Sequence, residues 1–207
     1  MLKKHFKPGD TLIEVLFAVT VFSLVVVGSL SIMNEGSNAT QHSLEITLVR
    51  QQIDAQAESL RFLHDSYVAA YQPSVTYTGP AAQWAAMLTG ITSTPITSAT
   101  TFQGVSTTCP TPQNGSFIIN SNTATFLTGS SNVKFTSATG FAQIDYTKSP
   151  VEAQGVWVEA VRSLASGDPT QANAGFIDFH ILACWPVNGS NVPATIGTIV
   201  RLYDPRG

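Results

Sequence analysis

Charge is what this chain has least of. Asp, Glu, Lys and Arg together make up 11% of its 207 residues, against about 25% in an ordinary soluble domain. With 43% hydrophobic residues, that scarcity excludes a disordered polyelectrolyte. There is no basic excess either. The formal net charge is −3, the opposite of the electrostatic footprint of a nucleic-acid binder. Two cysteines are too few for a disulfide-framework miniprotein or a Cys-rich zinc module. Proline is absent between Pro8 and Pro73, so nothing in that interval forces a helix to break. Ser, Thr, Asn and Gln fill the surface instead, which suits a chain that works outside the cytosol.

The N-terminus holds the longest apolar run. Residues 1–9 read MLKKHFKPG, with Lys3, Lys4 and Lys7 and no acid. The 22 residues from Leu12 to Met33 contain one ionisable group, Glu14. As a helix they span about 33 Å, enough to cross a hydrocarbon core of about 30 Å. The lysines precede the run and Glu35 follows it, so the positive-inside bias keeps the N-terminus cytoplasmic and exports the chain from about Asn34 onward. A secretory signal is a rival reading, but its apolar region is about 7–15 residues and ends at an A-x-A-like site. Gly28-Ser29-Leu30-Ser31 resembles such a site only weakly.

Glu14 needs an explanation, because a carboxylate near the centre of a membrane helix costs about 2.5–3.5 kcal/mol on insertion scales. Read alone, Thr11-Leu12-Ile13-Glu14 fits a T-x-x-E capping box. The wider string, Lys7-Pro8-Gly9 followed by Asp10-Thr11-Leu12-Ile13-Glu14-Val15-Leu16, resembles the class III signal of type IV pilins and pseudopilins. That signal is a short basic leader ending in Gly, then T-L-I-E-[VL]-L and an apolar helix. The resemblance covers residues 3–33 firmly and 34–71 loosely, and says almost nothing about 72–207.

The resemblance implies several things. A prepilin peptidase cuts between Gly9 and Asp10 and methylates the new amine on Asp10. Glu14 becomes the fifth mature residue and pairs with the Asp10 amine of a neighbouring subunit, which is how a carboxylate is tolerated inside a helix bundle. Partners are the peptidase, other pilin subunits, an inner-membrane platform protein, and membrane lipid before assembly. Two positions depart from the pattern. Asp10 stands where the family usually has Phe, and Ser31 stands where many major pilins carry a helix-bending Pro. Gly28 and Gly36-Ser37-Asn38 are then the weak points of the helix, since glycine costs about 0.8–1.0 kcal/mol relative to alanine in a helix interior.

Past the apolar run, Ile46, Val49, Ile53, Ala57, Leu60 and His64 recur every three or four residues, followed by Tyr67, Val68 and Tyr71. This predicts one helix from about Thr11 to Ala70, with a second half that packs on whatever follows. His64 on the stripe edge reads as a partly buried, satisfied histidine. Residues 72–115 read as irregular, with a short helix at 81–88 and a surface loop over 90–101. From Ser116 the period shifts toward two, and five to seven strands are expected: 116–120, 123–128, 133–136, 141–146, 155–162, 175–185 and 195–203. The fold class is α+β, a long N-terminal helix packed on a mostly antiparallel sheet head, pilin-like by the same resemblance. The segments are a leader (1–9), an assembly helix (10–33), an amphipathic continuation (34–71) and a β-rich extracytoplasmic head (72–207).

Cys109 and Cys184 can oxidise in an exported domain. A disulfide is the reading adopted, with two buried thiols as the alternative. No catalytic, metal or cofactor constellation is evident. Asp178 and His180 share a strand face, which reads as a solvated strand pair. Asn114-Gly115-Ser116 reads as a turn and, like Asn38-Ala39-Thr40 and Asn188-Gly189-Ser190, also matches a glycosylation triplet. Trp84, Trp157, Trp185, Phe117, Phe126, Phe135 and Phe141 read as core aromatics over a carbohydrate-binding face. Without the leader, 7 basic residues stand against 13 acidic ones, a net of −6, so no nucleic acid is expected in the head.

The function expected is therefore a structural subunit, a minor pilin of a type IV pilus, held in the cytoplasmic membrane before assembly and on the cell surface after it. The alternatives are a pseudopilin of a type II secretion or DNA-uptake system, an uncleaved single-pass adhesin, and a secreted enzyme behind a long signal.

Overall fold

The computed structural model describes residues 10–72, 74–102, 107–163, 175–187 and 189–203. The chain divides into two compact units, Met1–Glu45 and Ile46–Gly207. One helix, α1 (Asp10–Ala70), supplies residues to both. It stops short of Gln72-Pro73, as expected where a following proline drives its predecessor out of the α region. Gly28 and Gly36 lie within it as helical residues.

The first unit is the N-terminal part of α1. Leu12 through Met33 are exposed along their whole length. Thr20, Ser23 and Ser29 each donate their hydroxyl to a carbonyl one turn back, at 2.8 Å. Folding the hydroxyls back in this way satisfies them within the helix.

The second unit is an α+β assembly. α1 from Ile46 onward and α2 (Gly79–Ser93) pack on one face of a five-stranded antiparallel sheet. That sheet has the order β2 (Thr125–Thr128), β1 (Phe117–Asn120), β6 (Val156–Ser163), β7 (Phe176–Trp185), β8 (Ala194–Tyr203). A second sheet holds β3 (Val133–Thr136), β5 (Val151–Gln154) and β4 (Gln143–Asp145), with β3 and β5 parallel. There are thus eight strands among the described residues, more than the expected five to seven, in two sheets. The strand not anticipated is β5. It joins β6 through Gly155 alone, where the chain changes sheets, and the expected strand began only at residue 155. Gly155 has φ +67, and a Cβ there would lie 2.2 Å from the Cys184 carbonyl oxygen. Only glycine fits that crossing.

Period two then sorts the side chains. Ile177, Phe179, Ile181, Ala183 and Trp185 on β7 enter the main core with Val49, Ile53, Leu60 and Leu63 of α1. Leu182 and Cys184 face the other way, with Trp157 of β6. The α1 stripe differs from the sequence pattern at several positions. Leu63 and Gln56 are fully buried, whereas Val68 and Tyr71 are exposed. Val68 and Tyr71 lie in the last turn and just beyond the helix, where Tyr67 is the residue that enters the core. Full burial of each large apolar side chain contributes about 1.5–3 kcal/mol.

α2 is longer than the expected 81–88. Ala81, Trp84, Met87 and Ile91 recur at three and four residues and are buried, so apolar contact carries the helix through Gly90 to Ser93. The expected 90–101 loop is corrected accordingly. Its first turn is helical, and Ile96 beyond it is buried and bridged to Val161.

Candidate functional site

The feature most unlike a soluble domain is the exposed apolar helix. α1 from Leu12 is long and apolar enough to cross a membrane. Glu14 sits near its start, exposed and flanked by the exposed Leu12, Ile13, Val15 and Leu16. No ion pair among the described residues involves it. Asp10 and Thr11 are already helical, so Thr11 does not occupy the non-helical N-cap position that a capping box needs. Gly9 and the rest of the leader lie outside the described residues.

Elsewhere the candidates resolve into structural roles. Cys109 and Cys184 are joined by a disulfide. It ties the segment before β1 to β7, over a small cluster of Trp157 and Leu182 against which Phe102 packs. Asp178 and His180 do share a face, but Asp178 is engaged by Arg201 across the strand pair. The guanidinium donates from Nε and Nη2 to the two carboxylate oxygens, each at 2.7 Å. That bidentate bond holds the Asp178 carboxyl below the usual carboxylate range and raises Arg201. Arg201 also lies 3.7 Å from the ring centre of Phe176. His64 is mostly buried. Its Nε2 is 2.9 Å from the Tyr203 carbonyl oxygen and its ring meets Trp84 edge-on at 5.1 Å.

Of the seven aromatics singled out, Trp84, Trp157, Trp185 and Phe117 are core residues. Phe126, Phe135 and Phe141 are half-buried. No group of three or more His, Cys, Asp or Glu able to hold a metal occurs among the described residues. Sequence reading passed over Glu159, which is fully buried. It accepts bonds from the Thr100 N–H (2.6 Å), the Thr100 hydroxyl (2.7 Å), the Trp157 indole N–H (2.9 Å) and Gln113 Nε2 (3.3 Å). Its only sequence signal is an acid between apolar residues on a strand, and that alternation also fits a solvated face.

Comparison with protein-family models, with curated proteins and with solved structures finds no match to this chain.

Proposed function

We propose that this chain is a minor pilin, a structural subunit made as a prepilin and assembled into a type IV pilus through its N-terminal helix. The observation that carries the reading is Glu14, an acid with no cationic partner among the described residues, set near the start of an exposed apolar helix directly after a basic leader and Gly9. A helix that exposes apolar side chains on every face needs either lipid or other helices around it. A carboxylate on such a helix needs a cation brought by a neighbour. In this reading the cation is the Asp10 amine of the next copy, and the membrane holds the subunit until the bundle replaces the lipid. The α+β head, packed under the second half of the same helix, is compatible with a pilin.

The deciding experiment is N-terminal mass spectrometry of the protein from its own cell. The expected terminus is an N-methylated Asp10. An intact Met1 supports the uncleaved anchor, and a terminus near Ser31 supports a secreted protein. Either result rejects the pilin reading.

A further inference from the structure

The five-stranded sheet has two edges, and they are finished differently. At β2 the edge is met by α2, whose Gln83 Oε1 accepts the Phe126 N–H at 3.1 Å. β8 forms the other edge. It runs in unbroken register with β7, from Ala194 opposite Trp185 to Tyr203 opposite Phe176. Natural edge strands are blunted by lysine, proline, a bulge or short length. β8 has 10 residues and none of these devices. Its one charge, Arg201, is held by Asp178.

The direction of the free backbone groups follows from the ladder. The Cys184 N–H donates to the Gly155 carbonyl, on the β6 side, at 2.9 Å. Backbone groups alternate between the two sides of a strand, so the even-numbered residues of β7 point to β6 and the odd-numbered ones to β8. Through the register, Thr195, Gly197, Ile199, Arg201 and Tyr203 turn their N–H and C=O outward. Among the described residues these groups have no partner except the Tyr203 carbonyl, which meets His64 Nε2 at 2.9 Å. The same five residues are exposed. Ile199 at 60% and Tyr203 at 63% are the most exposed large apolar side chains among the described residues of the second unit.

We infer that β8 pairs with β8 of a second copy, antiparallel about a twofold axis, joining two five-stranded sheets into one continuous sheet. The outward residues run from Thr195 to Tyr203, so full overlap centres the axis on Ile199. In that register the strand is self-complementary. Ile199 meets its own copy, Gly197 leaves room for the stem of Arg201, and Thr195 lies opposite Tyr203. On the other face Ile196 lies opposite Leu202, and Thr198 opposite Val200. No like charges oppose each other, since the two Arg201 side chains are offset along the strands by about 14 Å. α1 packs on one face of this sheet, and a twofold normal to the sheet turns its two copies in opposite directions. The contact is therefore separate from helix bundling, and the inference does not depend on the pilin reading. In that reading the paired heads belong to different fibres.

The test is cysteine cross-linking of the full chain in detergent micelles, where the two native cysteines are already bonded to each other. Paired residues in an antiparallel ladder have Cα atoms about 5.5 Å apart, within disulfide reach. Ile199→Cys is expected to give a covalent dimer on mild oxidation. Thr195→Cys alone gives none, because Tyr203 lies opposite it, whereas chains carrying Thr195→Cys mixed with chains carrying Tyr203→Cys do. Adding Ile199→Lys to both, at an exposed position and with folding checked by circular dichroism, abolishes the mixed dimer, since two lysines then face each other. Three cross-linking results overturn the inference. They are no dimer from Ile199→Cys, equal yields from Ile199→Cys and from Thr195→Cys alone, or a mixed dimer that survives Ile199→Lys. A synthetic peptide of residues 194–203 that binds while the full chain stays monomeric also overturns it, and assigns the edge to a strand of another protein.

Discussion

Gln56 of α1 and Ile119 of β1 share two hydrogen bonds. The Gln56 amide donates from Nε2 to the Ile119 carbonyl at 2.7 Å and accepts from the Ile119 N–H at 2.8 Å. A neighbouring strand offers a residue the same two bonds. Here the β1–β6 ladder is a single pair, Phe117 with Val158, so Ile119 has no strand partner on that side. The helix therefore supplies the peptide-like group that the strand does not. Gln56→Leu keeps the volume and removes both bonds; the Ile119 carbonyl keeps the Tyr146 hydroxyl at 3.3 Å, and the Ile119 N–H is left unpaired at about 1–3 kcal/mol. Denaturant unfolding should show that loss, and the Ile119 amide should exchange faster. A variant as stable as wild type would mean that the sheet closes on itself without the helix.

This contact also marks how far sequence could be read. The α1 stripe was legible because burial on one helix face imposes its period on Val49, Ile53, Ala57 and Leu60. Gln56 was not, because a glutamine inside an apolar stripe has the same signature whether it reaches a backbone or solvent. The long strands β6, β7 and β8 were legible from alternation. β5 was hidden because Val151–Gln154 has only one fully buried residue, Ala153, and runs into β6 across one glycine. In the N-terminal part of α1 the apolar run was visible outright, since Leu12–Met33 holds one ionisable residue.

Glu159 anchors the segment that crosses over β6. Four donors converge on its carboxylate, so Glu159→Gln turns one acceptor oxygen into an NH₂ facing N–H and O–H groups. The variant should lose about 1–3 kcal/mol, and the protection of the Thr100 amide should fall more than that of β7. Uniform loss across the head would show that Glu159 serves the whole core and not this segment.

The disulfide closes a loop with a sequence separation of 75. On the chain-entropy model this contributes about 4–5 kcal/mol, often less in practice. Cys109→Ser with Cys184→Ser should lower the melting temperature and, by loosening the cover over Trp157, red-shift tryptophan emission in the native baseline. An unchanged melting temperature would place the stabilisation elsewhere.

The Asp178–Arg201 pair gives a defined pH response. The folded-state pKa of Asp178 is depressed from 3.8, first by the Arg201 hydrogen bond. Its contribution is therefore fully present above the unfolded value and is lost as pH falls through the folded value. Melting temperature should decline below about pH 4 more steeply in wild type than in Asp178→Asn. Parallel acid limbs for the two proteins would show that the pair does not couple to folding. The effect is small, since Arg201 is half exposed.

Glu14 is where the functional proposal is most exposed to test. If its role is to meet the Asp10 amine of the next copy, Glu14→Ala should still be inserted and cleaved, because the leader, Gly9 and the apolar run are intact. It should enter fibres poorly, since the neighbour's amine is left unpaired in the bundle, a loss of about 3–5 kcal/mol for a broken buried pair. Glu14→Gln keeps shape and hydrogen bonding and removes only charge, so an intermediate level of incorporation is expected. The measurement is the ratio of fibre to membrane protein by immunoblot, alongside the processed mass. Asp10→Phe adds a second arm. If the Asp10 carboxylate draws on the same amine in this reading, its removal should leave incorporation unchanged or raised in the Glu14 background and low in Glu14→Ala. Normal incorporation of Glu14→Ala would leave the acid as an incidental surface group of the helix and remove the electrostatic basis for assembly.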